Sequence, residues 1–301
     1  MLRSLSALKL MVDWMQSWRE KFEAGLIIND PDLLIIQSVN RKGDNYEWGT
    51  VFYSKAREEY KNSIKNPIKQ KPTFDEVLMK KMFLSRHGEL LVAANPNSLF
   101  PGHLVIYPKQ RRPDLTIKDL EELIQLALKT EWTFIHNMEN AAASITDWAH
   151  FQAYPVNFPI CSTKCEIIAE NEHSKISKLS DSYPVYGLVV ESLSNSLKAA
   201  WTLKLTEFLS SIKPRPIPFN LIFNGNRIWL IPRSLSQSKH AASYIGGLEL
   251  GGLFCLPNAD ALRLYLPESL RFEVRHATIS LGSDLALKIE KEALKIMLEL
   301  S

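Results

Sequence analysis

Apolar side chains recur at the helical period near the start of the chain, at Leu5, Leu8, Met11, Val12, Met15, Trp18 and Phe22, and Gly25 is placed to end the element. The pattern predicts an amphipathic first helix. Its polar face mixes Lys9, Asp13, Arg19, Glu20 and Lys21, which suits packing on a core better than lying on a membrane. Two short apolar runs, 33–39 and 48–53, flank the polar segment 41–45 and predict paired strands. Residues 55–73 are polar, basic and interrupted by proline, as in a surface excursion. The clearest hairpin follows, with apolar runs at 89–95 and 103–108 joined by Pro96-Asn-Ser-Leu-Phe-Pro-Gly102. Residues 116–138 carry the period of one helix, capped by Thr116, with Asp119 completing a capping box. Residues 149–154 then read as a strand. In extended chain Trp148, His150, Gln152 and Tyr154 share one side, and Ala149, Phe151 and Ala153 the other.

The second half repeats these ingredients: a strand at 185–190, a helix at 195–212, strands at 219–223 and 227–231 around the tight turn Asn224-Gly225-Asn226, and a final helix at 283–300. Strand, helix and hairpin in both halves suggest a structural duplication. The expected class is α+β, an antiparallel sheet with packed helices in two similar lobes, residues 1–175 and 176–301, sharing one continuous sheet or packed against each other.

Composition narrows the function. The chain has 301 residues, 46% hydrophobic and 23% charged, an ordinary globular balance. A formal charge of +3 with no basic run gives no footprint for duplex nucleic acid and points weakly to an anionic ligand. Three cysteines, Cys161, Cys165 and Cys255, are an odd number for a disulfide framework and fit a reducing compartment. The first twelve residues lack a cleavage pattern, and no apolar stretch is long enough to span a bilayer, so a cytoplasmic protein without membrane contact is expected.

The chemistry concentrates at Asp147-Trp-Ala-His-Phe-Gln152. A neutral imidazole nitrogen can attack phosphorus, and a neighbouring amide N–H can hold a phosphate oxygen. A structural histidine on an ordinary strand is the other reading of His150. If it is functional, His150 should face a cleft with room for a diphosphate. The cysteines at 161 and 165 read as small packing residues, and neither they nor His87, His136, His173 and His276 have metal-site spacing.

Trp148-Ala149-His150-Phe151-Gln152 resembles the HxHxQ motif of the nucleotidyl-transferring branch of the histidine triad superfamily, with tryptophan in place of the first histidine. That branch includes galactose-1-phosphate uridylyltransferase, diadenosine tetraphosphate phosphorylases and the GDP-L-galactose and GDP-D-glucose phosphorylases. The GDP-hexose enzymes are the most similar, through Lys71-Pro72, the hairpin 95–108 ending in GHLVIYP, Phe151-Gln-Ala-Tyr154 with Asn157-Phe-Pro159, and the segments 183–191, 217–223 and 227–233. Lys239-His240 and Glu249-Leu-Gly-Gly252 also resemble a second-lobe segment of bacterial relatives.

The resemblance implies a histidine-triad-like fold and a phosphorylase. His150 would attack the α-phosphorus of a nucleoside diphosphate hexose, and inorganic phosphate would accept the nucleotidyl group. Gln152 would hold the phosphate oxygens. A main-chain carbonyl two residues before the nucleophile would fix its tautomer, which Trp148 supplies as well as histidine. Asn95, His103, Lys109, Asn137, Ser144, Asp147 and Trp148 are the expected substrate-binding residues. Lys109-Gln-Arg-Arg112 offers a basic cluster for a terminal phosphate, and Arg227 and Arg233 could add charge from the second lobe. No cofactor or metal is implied, and a homodimer is compatible. Dinucleoside polyphosphates are the alternative substrates. A nucleotide-binding protein without turnover is the alternative class, motivated by Trp148 and by a loop at 137–144 that lacks glycine and carries Glu139.

Overall fold

A computed structural model describes residues 5–27, 34–40, 47–53, 76–143, 145–234, 245–256, 267–280 and 282–300. Helix α1 (Leu5–Glu23) precedes strands β1 (Leu34–Asn40) and β2 (Glu47–Tyr53), and α2 (Glu76–Met82) leads into β3 (Phe83–His87), β4 (Leu90–Ala94) and β5 (Leu104–Pro108). Helix α3 (Ile117–Thr130), β6 (Thr133–Asn137) and β7 (Phe151–Tyr154) follow, then β8 (Cys165–Glu170), β9 (Ser174–Leu179) and β10 (Leu188–Ser192). The remainder is α4 (Asn195–Ser211), β11 (Phe219–Asn224), β12 (Arg227–Pro232), the single turn α5 (Gly247–Leu250), β13 (Leu253–Leu256), α6 (Pro267–Ala277) and α7 (Asp284–Leu300).

Ten strands form one antiparallel sheet in the order β3-β4-β5-β7-β6-β11-β12-β10-β9-β8, which bears out the α+β class. In the middle of this order β6 pairs with β11, where Asn137 faces Asn220 and Phe134 faces Phe223. Side-chain alternation assigns the two faces to two cores. Phe134, Phe151, Ala153, Leu221 and Phe223 pack with Trp14 and Trp18 of α1, Leu120 of α3, Trp201 of α4 and Ile289 of α7. Ile135, Tyr154, Ile222 and Trp229 pack instead with Phe158, Leu248, Phe254 and Val274. The second core therefore seats residues 245–256 and α6 against the centre of the sheet. The expected pair β1 and β2 is antiparallel, and β13 adds to β2 in parallel to make a separate three-stranded sheet.

The helix expected over 116–138 stops at Thr130. Its capping box is present, Thr116 and Asp119 bonding each other's backbone, but Glu131 turns left-handed at φ 57° and ends it. Residues 133–137 then alternate between the two cores as a strand, so the helical spacing of Phe134 was coincidental. Strand β7 begins at Phe151, so His150 lies just ahead of it. Among the described residues no helix is long and apolar enough to cross a membrane. The excursion at 55–73, Lys71-Pro72, Ser144 and Lys239-His240 lie outside the described residues.

Candidate active site

The backbone ahead of β7 is pinned at successive residues. Ala149 N–H donates to the Arg112 carbonyl at 2.7 Å, and the Trp148 indole N–H donates to the Pro108 carbonyl at 2.9 Å. Trp148 does not share a side with Tyr154 as the alternation predicted. It turns into the core that holds Phe151 and Ala153, where its ring meets Tyr107 edge-on at 5.1 Å. The Arg111 guanidinium lies over the indole at 5.5 Å and pairs with Asp147. That hydrogen bond is the main reason the Asp147 carboxyl is held below its usual range. Asp147 and Trp148 are thus engaged with the protein itself.

His150 Nδ1 lies 3.0 Å from the Trp148 carbonyl oxygen. A carbonyl can only accept, so Nδ1 carries the proton and Nε2 the lone pair. Burial pushes the imidazole below the ordinary histidine pKa, against a smaller upward pull from that carbonyl, and favours the neutral, nucleophilic form. The ring is only 4% exposed. Among the described residues the open cleft expected beside it is therefore not seen, because the chain packs closely around His150.

Gln152 is partly exposed, and its Oε1 accepts a 2.6 Å hydrogen bond from the phenol of fully buried Tyr154. With the carbonyl end held, the amide NH2 is the donor end of this side chain. His103 stacks on Tyr154, ring centroids 4.3 Å apart, and also engages Gln152. The Leu99 backbone N–H donates into His103 Nδ1 at 3.1 Å, which places that ring's proton on Nε2; Asn95 Nδ2, 3.2 Å from Nε2, is itself a donor, so the two meet as neighbours and not as a hydrogen-bonded pair. Burial lowers the His103 pKa to about 3, so the ring is neutral. Asn95 also holds its own turn, since Asn97 N–H donates to its Oδ1 at 2.9 Å. The structure thus connects His103, Gln152 and Tyr154, with Asn95 beside them.

Asn137 is 9% exposed, and its Oδ1 accepts from Asn220 Nδ2 at 2.7 Å and from Gly247 N–H at 2.9 Å. Asn220 Nδ2 also reaches the Ala141 carbonyl at 2.8 Å, while Arg233 Nη1 donates to Asn220 Oδ1 at 2.9 Å and to the Ile245 carbonyl at 2.6 Å. Arg233 is buried, which lowers its pKa to about 10 against the opposing charge of Glu249, so it remains a cation. Both lone pairs of Asn137 Oδ1 are spent on this ladder, which locks residues 245–250 onto β6.

The loop after Asn137 has the backbone of a glycine loop without the glycines: Asn140 and Ala142 adopt φ of 62° and 73°. Asparagine tolerates that region, whereas alanine is strained there by roughly 1–2 kcal/mol. Glu139 is exposed. Lys109 is exposed at the end of β5, and of its basic cluster Arg112 is committed to a two-oxygen pair with buried Asp119. Arg227 pairs with Glu191 at 3.4 Å. Among the described residues no group of three or more histidine, cysteine, aspartate or glutamate side chains is placed to hold a metal ion.

No site role was assigned from sequence to His136, Tyr154 or Asn220. Each is a polar group inside an otherwise apolar strand, and that was the available signal. His136 Nδ1 sits 2.9 Å from the His150 carbonyl oxygen.

The sequence matches no family model, and comparison with curated protein sequences finds no relative. Comparison of the fold does find neighbours. The yeast Ap4A phosphorylase Apa2 superposes with a TM-score of 0.64 at 13% identity, over 91% of this chain and 97% of that one. The same protein in complex with Ap4A gives 0.64 at 12% identity over 92% and 98%, and in complex with AMP 0.60 at 13% over 90% and 98%. Two uridylyltransferase structures overlap more loosely, at TM-scores of 0.36 and 0.39. At this identity the likeness is one of architecture, and the architecture of this chain is the α+β, histidine-triad-like fold of Ap4A phosphorylase.

Proposed function

We propose that the chain is a nucleotidyltransferase that cleaves a nucleoside diphosphate hexose, of the GDP-hexose type, by phosphorolysis through a nucleotidyl-His150 intermediate. The observation that carries this reading is the 3.0 Å bond from His150 Nδ1 to the Trp148 carbonyl. It sets the nucleophilic tautomer and does so through a main-chain atom, so the tryptophan leaves it intact. In the first step the Nε2 lone pair attacks the α-phosphorus, the bond to the bridging oxygen breaks, and the hexose phosphate leaves with the electron pair. The Trp148 carbonyl then faces an imidazolium and stabilises its charge. In the second step an oxygen of inorganic phosphate attacks the same phosphorus, the N–P bond breaks, and the nucleoside diphosphate leaves neutral His150 behind. Gln152, its carbonyl held by Tyr154, donates its amide hydrogens to the phosphoryl oxygens as charge builds.

Two other readings stand beside it. The shared fold with Ap4A phosphorylase favours a dinucleoside polyphosphate as substrate, cleaved by the same two steps. Trp148 and the glycine-free loop with Glu139 motivate a nucleotide-binding protein without turnover; the burial of His150 counts against this reading as much as against the enzymatic ones, and on each of them ligand entry has to open the packing over the ring. One experiment separates all three. The protein is incubated with a panel of nucleoside diphosphate sugars and dinucleoside polyphosphates, quenched, and weighed intact. A nucleotidyl adduct that His150→Ala abolishes is expected, and the panel member that forms it names the substrate. Nucleotide binding without adduct or product from any panel member would overturn the enzymatic reading.

A further inference from the structure

We infer that His136 is a positioning residue for the nucleophile, acting through the main-chain carbonyl of His150; this rests on the nucleophile reading of His150 above. Strands β6 and β7 pair at Thr133 with Tyr154, Phe134 with Ala153 and Ile135 with Gln152, and that ladder ends before His150. Beyond that rung β6 continues along β11, with His136 opposite Leu221 and Asn137 opposite Asn220. The His150 carbonyl therefore lies where the two strands part company. His136 reaches it from the β6 side, Nδ1 to oxygen at 2.9 Å.

The geometry dictates the chemistry of the contact. The carbonyl accepts, so His136 carries its proton on Nδ1. The ring is 7% exposed and packs beside Phe151 and Phe219, at centroid distances of 5.4 and 6.5 Å. Burial lowers its pKa to about 4, which keeps it a neutral donor. The peptide that carries the nucleophile is then held on both sides: upstream by the Ala149 N–H on the Arg112 carbonyl, downstream by His136 on the His150 carbonyl. Fixing that carbonyl fixes the Cα–Cβ direction of His150, and with it the line along which Nε2 meets phosphorus. Misplacement of a reacting atom by about 1 Å can cost on the order of a hundredfold in rate. Nothing in this role touches substrate, so it belongs to the rate of adduct formation and not to nucleotide affinity.

An isosteric pair of variants isolates the hydrogen bond. Asparagine and leucine branch alike at Cγ, and asparagine Nδ2 falls where histidine Nδ1 does. His136→Asn keeps a donor facing the carbonyl, His136→Leu removes it, and both lose the same ring contacts. With the panel member that gives the wild-type adduct, single-turnover adduct formation should be about 10- to 100-fold slower in His136→Leu than in His136→Asn, with nucleotide dissociation constants equal to within about threefold. Equal rates in the two variants, or a loss of affinity matching the loss of rate, would overturn the role. If neither variant folds, NMR of the wild type with isotope-labelled histidine decides: a proton on Nδ1 of His136 is required, and one on Nε2 rules the contact out. A wild type that forms no adduct with any panel member fails differently, because it removes the nucleophile reading itself and the positioning role with it.

Discussion

Restoring the motif histidine by Trp148→His should weaken the fold and leave the chemistry where it was. Trp148 is 6% exposed, and exchanging its indole for an imidazole withdraws roughly 80 Å² of apolar surface from the core, about 2 kcal/mol at 25 cal/mol per Å². The edge-on contact with Tyr107 at 5.1 Å adds about 0.5–1 kcal/mol. The indole hydrogen bond to the Pro108 carbonyl adds about 1 kcal/mol, since its loss strands a buried acceptor. Together these give a loss of about 3–4 kcal/mol, a large part of the roughly 5–15 kcal/mol by which domains are stable. Guanidinium denaturation of both proteins, compared at constant slope, measures it. Adduct formation, assayed where the variant is folded, should stay within about threefold of wild type, because the tautomer of His150 is set by a main-chain oxygen. A stability loss under about 1 kcal/mol, or adduct formation accelerated more than about tenfold, would show that the side chain at 148 faces the site after all.

Tyr154→Phe keeps the ring between His103 and Phe158 but frees Gln152 Oε1, and should slow adduct formation about fivefold to tenfold at a stability cost near 1 kcal/mol. Acid should destabilise the protein from pH 6.5 downward. His103, His136 and His150 are all held below 6.5 by burial, the first two at about 3 and about 4, so below pH 6.5 the unfolded chain binds protons that the folded chain does not. Stability then falls with falling pH, by at most about 4 kcal/mol per pH unit for three protons, until the buried rings titrate; equal denaturation midpoints at pH 5 and 7 would refute this. Ala142→Gly should raise stability by about 0.5–1 kcal/mol, the relief of a φ of 73° less the added freedom of the unfolded chain, as read by thermal melting. Asn220→Leu should cost about 2–4 kcal/mol, because it leaves Arg233, Asn137 and the Ala141 carbonyl without their shared partner.

Where neighbouring residues decide structure, the chain was readable in advance. The hairpin at 89–108, the tight turn at 224–226, the capping box at Thr116 and Asp119 and the last helix follow from local pattern. The stop at Thr130 was not legible, because Glu131 is not a residue that announces a left-handed cap and Phe134 happens to continue the helical period. Strand β8, at the edge of the sheet, and its neighbour β9 were missed because their lysine, serine and glutamate residues leave little apolar alternation. At the candidate site, His150 and Gln152 were proposed from the motif they resemble, and the carbonyl of Trp148 meets His150 Nδ1 as that resemblance implies. The direction of the Trp148 side chain was not readable, since the alternation assumed a strand that starts two residues too early. Asn137 was expected to serve a ligand. Its oxygen is spent instead on Asn220 and Gly247, partners 83 and 110 residues away that no local pattern could supply.

Strand β6 is buried along its whole length and gains its second neighbour only when Phe219–Asn224 pairs with it. During synthesis the segment that carries His150 is therefore complete long before its sheet is. A chain interrupted before residue 219 would display an unpaired apolar edge, the kind of surface that recruits other chains. The parallel pairing of Thr50 with Leu253 delays closure further, and the Arg233, Asn220 and Gly247 ladder forms only after that stretch has emerged. Folding of this protein is thus committed late, and a premature stop in the second half of its message costs the first half as well.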